Sequence, residues 1–164
     1  MASPFITSIT AVIHFDALFY VNLSCATTKL SCFMTQLKAV YDQVIALNSS
    51  LAAEGELYVD DGKSYDFEHG AYIHRRFVFS NGKLTSSNLR PDNLAKKFSS
   101  GSVIERIILL GLPAGPKKAV IEPGNREADV EPGPLMLRSG ASPVALVVRK
   151  PNLSISDDWT LRIL

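Results

Sequence analysis

Residues 153–163 read LSISDDWTLRI, and this stretch decides the fold class. Polar and apolar side chains alternate along it, and the apolar ones are Leu153, Ile155, Trp159, Leu161 and Ile163. A period of two is typical of a β-strand that buries one face. Asp157 interrupts the apolar face, which predicts a bulge or a kink within the strand. Because Trp159 shares its face with four aliphatic residues, we expect it to anchor the core.

Further strands are predicted on the N-terminal side of this stretch. Residues 103–110 and 144–148 are almost continuously apolar and β-branched, which indicates central strands covered on both faces. In residues 71–80, Ile73, Phe77 and Phe79 are in phase, and Asn81-Gly82 follows as a hairpin turn. Prolines and glycines punctuate the chain between residues 111 and 143. Short strands joined by such turns predict a mainly β fold, an antiparallel β-sandwich.

The first 43 residues differ in composition from the rest. They carry four charged side chains, at Asp16, Lys29, Lys38 and Asp42, although the whole chain has 17 basic and 16 acidic residues. We therefore expect two parts, an atypical leader at 1–43 and a C-terminal β-sandwich domain at 44–164. Within the leader, a helix at about 28–41 is predicted from apolar spacings of three and four, at Leu30, Phe33, Met34, Leu37, Val40 and Tyr41.

Length and charge exclude several classes of protein. A formal net charge of +1 argues against a surface that holds nucleic acid or anionic lipid. A (β/α)8 barrel needs about 250 residues, so it does not fit within this chain. His14 and Asp16 interrupt the apolar run at 9–21, which argues against a membrane span. No Lys or Arg precedes Lys29, so no secretory signal is evident.

The acidic pairs are the first candidates for catalysis. Asp60 and Asp61 are adjacent, as are Asp157 and Asp158. Neighbours on an extended strand point to opposite faces, so neither pair is suited to flank one glycosidic bond. We assign no catalytic residue, and the sequence indicates no cofactor.

Binding and modification sites have better candidates. Four carboxylate side chains within nine residues are candidate calcium ligands, namely Asp60, Asp61, Asp66 and Glu68. Their spacing differs from that of an EF-hand. The alternative is a turn in which an aspartate caps its own backbone. Tyr65, in the same polar loop, is a candidate sugar contact. Of three Asn-x-Ser sequons, at Asn22, Asn48 and Asn152, the last two are our candidates for N-glycosylation.

Residues 55–64, GELYVDDGKS, resemble a specific family when they are taken with four other segments. These segments are 44–50, 72–77, 107–111 and 158–164, and together they are similar to the C-terminal region of family-31 glycoside hydrolases. Within that family the resemblance is to the α subunit of endoplasmic reticulum glucosidase II in its plant form. It covers about residues 44–164.

The resemblance implies a parent enzyme rather than an activity of this chain. The parent would be a retaining α-glucosidase that trims α-1,3-linked glucose from N-glycans in the endoplasmic reticulum lumen. Its partners would be the catalytic barrel of the same chain and a β subunit. The family's nucleophile and acid lie in that barrel, so no residue here inherits those roles, and we expect a fragment that is inactive alone. The alternative is an independent carbohydrate-binding module that uses Tyr65.

Overall fold

The computed structural model describes residues 18–24, 40–61, 64–89, 98–112, 118–133 and 144–164. Within these ranges the chain forms ten strands and one turn of 3-10 helix, Asp66–His69. The strands are β1 Leu18–Ser24, β2 Val40–Ala46, β3 Ala53–Val59, β4 Ile73–Ser80, β5 Lys83–Asn88, β6 Val103–Leu112, β7 Ala119–Glu122, β8 Arg126–Pro132, β9 Val144–Ser154 and β10 Trp159–Ile163.

The strands form a sheet that folds over on itself, in the order β1-β2-β6-β9-β8-β7-β10-β5-β4-β3. Strand β8 belongs to both halves, because Asp129–Pro132 pair with β9 while Arg126–Ala128 pair with β7. We call β1-β2-β6-β9-β8 the first sheet and β8-β7-β10-β5-β4-β3 the second sheet. The predicted mainly β sandwich is therefore confirmed, with one exception to antiparallel pairing, since β2 and β6 run parallel.

One hydrophobic core lies between the two sheets. Side chains with no exposed surface come from both of them, and they include Ile45, Ile107 and Val148 of the first sheet and Phe77, Leu84 and Leu161 of the second. Burial of one such side chain contributes about 1.5–3 kcal/mol, so the joint core is the main stabilising feature of the fold.

The central strands match their sequence pattern. In β9, Leu146 and Val148 alternate with Ala145 and Val147, and all four are buried, which requires cover on both faces. In β6, Ile107 and Leu109 are buried while Ile108 is half-buried. The order β2-β6-β9-β8 places both strands inside the sheet, as predicted.

The hairpin at Asn81-Gly82 is also confirmed. It joins β4 to β5, and both turn residues have positive φ, 50° at Asn81 and 70° at Gly82. Positive φ at both central positions defines a type I′ turn, which matches the natural twist of the flanking strands.

The stretch 153–163 was predicted as a single strand with a bulge or a kink at Asp157, and the single strand is wrong. Leu153 lies in the last two residues of β9, in the first sheet, whereas Trp159 begins β10 in the second. Between them, residues 155–157 bend across the end of the sandwich, and Ile155 remains fully buried. The alternation persists because both strands face the same core, so Asp157 marks a crossing between sheets.

The predicted helix at 28–41 lies mostly outside the described residues. At Val40 and Tyr41 the prediction is wrong, because both residues open strand β2. Tyr41, Gln43 and Ile45 alternate into the core, so the pairing of β2 with β1 and β6 determines the local period. Strand β2 also crosses the expected boundary between residues 43 and 44. Burial raises the pKa of the Tyr41 phenol.

Candidate functional site

The acidic loop after β3 is closed by its own side chains. The Asp61 carboxylate accepts hydrogen bonds from the Ser64 backbone N–H at 3.1 Å and from the Ser64 hydroxyl at 2.8 Å. The Ser64 hydroxyl oxygen in turn accepts the Asp66 N–H at 3.1 Å. These bonds are those of a capped turn, in which short polar side chains satisfy backbone donors.

The four calcium candidates are not brought together. Among the described residues, no group of three or more His, Cys, Asp or Glu side chains is placed to hold a metal ion. Asp61 is engaged with Ser64, while Asp66 and Glu68 lie exposed on the 3-10 helix. The geometry thus favours the turn over a cation site at Asp60, Asp61, Asp66 and Glu68.

Tyr65 is the most exposed large apolar side chain of the described region, at 76% relative exposure. Its ring centroid lies 6.1 Å from that of Phe67, at an interplanar angle of 43°. An exposed ring supported by a second ring presents a face on which a sugar can stack. Tyr65, the candidate sugar contact, is therefore accessible from solvent, and its contact with sugar stays a prediction.

A second polar cluster lies on the outer face of β3 and β4. The His74 Nε2 atom is 2.8 Å from Glu56 Oε2, and Arg76 Nε donates to Glu54 Oε1 at 2.6 Å. The Tyr58 and Tyr72 rings are 4.8 Å apart between centroids. These side chains tie an edge strand to its neighbour, and cross-strand pairs of this kind contribute about 0.2–1 kcal/mol each.

Arg75 forms a buried polar centre that sequence reasoning missed. It is 2% exposed and lies on the core face of β4, in phase with Ile73 and Phe77. Its Nη2 atom donates to the Asp157 carbonyl at 2.5 Å, to Asp158 Oδ1 at 2.6 Å and to Ser86 Oγ at 3.0 Å. The phase of Arg75 with the apolar residues was the available signal, because a buried guanidinium requires acceptors from elsewhere in the fold.

The second acidic pair thereby acquires a role. Asp157 offers its carbonyl and Asp158 its carboxylate to the same guanidinium, and Asp158 Oδ1 also accepts the Asn88 N–H at 3.1 Å. The crossing from β9 to β10 is thus attached to β4 and β5. In the structure this pair lies in the bend between strands, and both residues contact the Arg75 guanidinium.

A shallow cavity of about 330 Å³ opens beside this centre. It is lined by Thr85, Ser86, Ser87, Glu122, Pro123, Asp158, Trp159 and Thr160. Trp159 contributes little surface, since it is 5% exposed, its ring centroid is 5.9 Å from that of Phe77, and its Nε1 donates to the Ser154 carbonyl at 3.0 Å. Trp159 is therefore the predicted core anchor. The Glu122 carboxylate lies 3.0 Å from Arg162 Nε, so it is already paired.

The two candidate glycosylation sites differ in environment. Asn48 is half-buried, and its Oδ1 accepts the Ser50 N–H at 3.0 Å and the Ala52 N–H at 2.9 Å. Asn152 is exposed in β9, with a φ of 48°. Asn22 lies in β1.

The two-sheet fold is similar to part of a known class of enzyme, the large α-glucosidases. It matches the C-terminal region in the crystal structure of an ER glucosidase II heterodimeric complex of a catalytic subunit with the binding domain of a regulatory subunit. The TM-score is 0.63 at 33% identity, and the match covers 76% of this chain and 14% of the solved chain.

Sequence comparison then gives the particular relatives. The chain is 68% identical over 121 residues to the probable glucan 1,3-alpha-glucosidase of Oryza sativa subsp. japonica, and 53% identical over 124 residues to its counterpart in Arabidopsis thaliana. Human neutral alpha-glucosidase AB is 30% identical over 122 residues. The chain is thus a homologue of the C-terminal region of the glucosidase II α subunit, as the resemblance implied.

The matches are partial in length. They cover 73% of this chain but only 13% of the rice relative. No protein-family model matches the chain. In the ranges that the structure describes, no helix has the length and apolar character needed to span a bilayer.

Proposed function

We propose that this sandwich is a non-catalytic, structural C-terminal module of an α-glucosidase of the glucosidase II α type. The observation that carries the proposal is the 68% identity over 121 residues to a plant glucan 1,3-alpha-glucosidase, of which those residues are 13%. The whole enzyme would hydrolyse α-1,3-glucosidic bonds during N-glycan trimming. The module would support the catalytic barrel of the same enzyme.

The charges of the described residues support a structural role. Carboxylates of both sheets pair with basic side chains on adjacent strands, as in Asp42–Arg106, Glu54–Arg76, Glu56–His74 and Glu122–Arg162. A retaining glycosidase instead holds two carboxyl groups about 5 Å apart across the scissile bond. We propose that the barrel of the longer relatives supplies those two groups.

The same homology supports a proposal for the partner and the compartment. The solved complex contains a catalytic subunit bound to the binding domain of a regulatory subunit. We propose that a chain carrying this module meets a β subunit of that kind, and that it works in the lumen of the endoplasmic reticulum.

A chimaera tests the structural role directly. Residues 44–164 of this chain replace the matching 121 residues of the rice enzyme, and a second version lacks the region altogether. We expect the chimaera to be soluble and to cleave an α-1,3-linked glucose disaccharide at a rate near that of the parent. The deletion should be insoluble or inactive, because a barrel face and its apolar contacts would lose their cover.

Two results would contradict the proposal. One is a deletion version that keeps the full rate, since the module would then contribute nothing to the enzyme. The other is hydrolysis by the purified 164-residue chain itself, above a matched preparation of Asp158→Asn and Asp61→Asn variants, because turnover would then depend on carboxylates that we assign to structure.

A second function, carbohydrate binding, is favoured by one observation, the 76% exposure of the Tyr65 ring. Stacking on that ring would give saturable binding of gluco-oligosaccharides. Calorimetric titration with a gluco-oligosaccharide tests this function in three proteins: the full chain, the Tyr65→Ala variant and a Tyr58→Phe control. Saturable heat that disappears only in Tyr65→Ala supports a binding module, whereas equal heats in all three proteins exclude Tyr65 as the contact.

A further inference from the structure

Strand β9 carries an outward bulge at residues 150–152. Arg149 pairs with Arg106 and Leu153 pairs with Ile104, so three residues of β9 face the single residue Glu105 on β6. Lys150 and Asn152 both have positive φ, at 45° and 48°. A bulge of this kind removes residues from the ladder and redirects their side chains.

The bulge is held on both sides of Asn152. The Pro151 carbonyl accepts a hydrogen bond from the Arg126 side chain, and Leu153 is buried in the core at 4% exposure. Asn152 itself is exposed. An asparagine between two anchored residues therefore projects from a fixed piece of backbone into solvent.

The surroundings of Asn152 are hydrophilic. Glu105, Arg106, Arg149 and Lys150 are all exposed around the bulge. Interfaces that are permanently buried are depleted of charged residues at their centre, so this corner of the first sheet has the character of a free surface.

Asn48, the other sequon within the matched region, has a different role. Its Oδ1 accepts two backbone N–H groups and closes the turn in which Leu51 has a φ of 55°. This Asx turn accounts for asparagine at position 48, and the side chain is half-buried.

We propose that Asn152 is an N-glycan acceptor and that Asn48 is chiefly a turn residue. The inference rests on the proposed lumenal location of the enzyme. In the transfer, Asn152 Nδ2 forms a bond to the anomeric carbon of an oligosaccharide carried on a polyprenyl diphosphate. The bond from that carbon to the diphosphate oxygen breaks, and the proton lost by the amide nitrogen balances the charge of the departing diphosphate. A glycan at this position keeps the bulge corner of the first sheet in solvent.

The test must separate glycosylation from conformation, because asparagine also suits a positive φ. The full chain is fused to a cleavable secretion signal, expressed in eukaryotic cells and recovered from the medium, which guarantees passage through the lumen. Glycosidase release in heavy-oxygen water followed by peptide mass spectrometry then gives the occupancy of each sequon.

Three variants provide matched controls. Ser154→Ala destroys the sequon but keeps Asn152, and Ser154→Thr keeps the sequon. Lys83→Thr creates a sequon at Asn81, which is exposed and has nearly the same φ, 50°, as Asn152. We expect Asn152 to be more fully occupied than Asn48, with loss in Ser154→Ala, retention in Ser154→Thr and gain at Asn81 in Lys83→Thr.

Either of two results overturns the inference. One is an unmodified Asn152 in secreted protein whose Asn81 control is glycosylated, and the other is an occupancy at Asn48 equal to or above that at Asn152. Neither result affects the chimaera assay, so an active chimaera with a bare Asn152 would refute this site and leave the proposed function standing.

Discussion

The substitution Asp158→Ala tests whether the Arg75 centre holds the crossing from β9 to β10 against the second sheet. Asp158 is 71% exposed, yet its partner guanidinium is only 2% exposed. Removal of an exposed side chain would ordinarily change the free energy of unfolding by less than about 0.5 kcal/mol. Here we expect much more, because the group left behind is a buried cation.

The magnitude follows from the contacts that are lost. A hydrogen bond to a charged group contributes about 1.5–3 kcal/mol, and the bond from the Asn88 N–H adds about 1 kcal/mol. Arg75 keeps the Asp157 carbonyl and Ser86 Oγ as acceptors, so the loss stays below the upper end of the range of about 3–5 kcal/mol for breaking a buried pair. We therefore expect a loss of about 3 kcal/mol, or a fall in Tm of about 9 °C for a chain of this size.

Urea unfolding, monitored by the fluorescence of Trp159, measures this loss in the free energy of unfolding. A thermal scan is the second readout. Asp158→Asn keeps an acceptor oxygen and should lose about half as much, whereas the control Glu54→Ala breaks an exposed pair and should lose about 0.5 kcal/mol. If Asp158→Ala and Glu54→Ala were equally stable, the crossing from β9 to β10 would not depend on Arg75, and our reasoning would be refuted.

Three further predictions concern single positions. Gln43→Met should raise the free energy of unfolding by about 1 kcal/mol, because Gln43 is fully buried and its amide has no hydrogen-bond partner among the described residues. A lower urea midpoint for the variant would contradict this prediction. Gly82→Ala should lower the free energy of unfolding by about 1–2 kcal/mol, since φ is 70° and an added Cβ would lie 3.4 Å from the Ile163 carbonyl oxygen. An unchanged urea midpoint would count against the type I′ turn. Burial raises the pKa of Tyr41, so the unfolded chain loses this proton first, and stability should fall as the pH rises above the ordinary value of 10.0. Tyr41→Phe should flatten that alkaline decline in urea titrations, and an identical decline in both proteins would exclude Tyr41 as its source.

The fold was predictable from sequence wherever a local pattern fixed it. The alternation at 153–163, the β-branched runs of β6 and β9 and the Asn81-Gly82 turn each encode a period or a backbone conformation that needs no distant partner. The pattern showed which side chains are buried but not which sheet they join. For this reason the sequence predicts a bulge or a kink within one strand, where the chain in fact crosses from one sheet to the other at residues 155–157.

Long-range features were not predictable in the same way. The parallel pairing of β2 with β6 joins segments more than fifty residues apart, and Tyr41 follows that pairing rather than its helical spacing. The Arg75 centre likewise gathers acceptors from β5 and from the bend after β9. Among the candidate site residues, the sequence offered the capped turn at Asp61 as the alternative to a calcium site. The exposure of Tyr65 and the contrast between Asn48 and Asn152 required the structure.

Strand β10 has a consequence for biosynthesis. It pairs with β5 on one side and β7 on the other, so it unites the meander β3-β4-β5 with the hairpin β7-β8. Of the described strands it leaves the ribosome last. Until β10 is made, β5 and β7 each have an unpaired edge, and unpaired strand edges promote aggregation of nascent chains. Chaperones should therefore be needed at least until β10 has emerged, and a stop codon just before Trp159 should leave β5 and β7 without the strand that pairs with both of them.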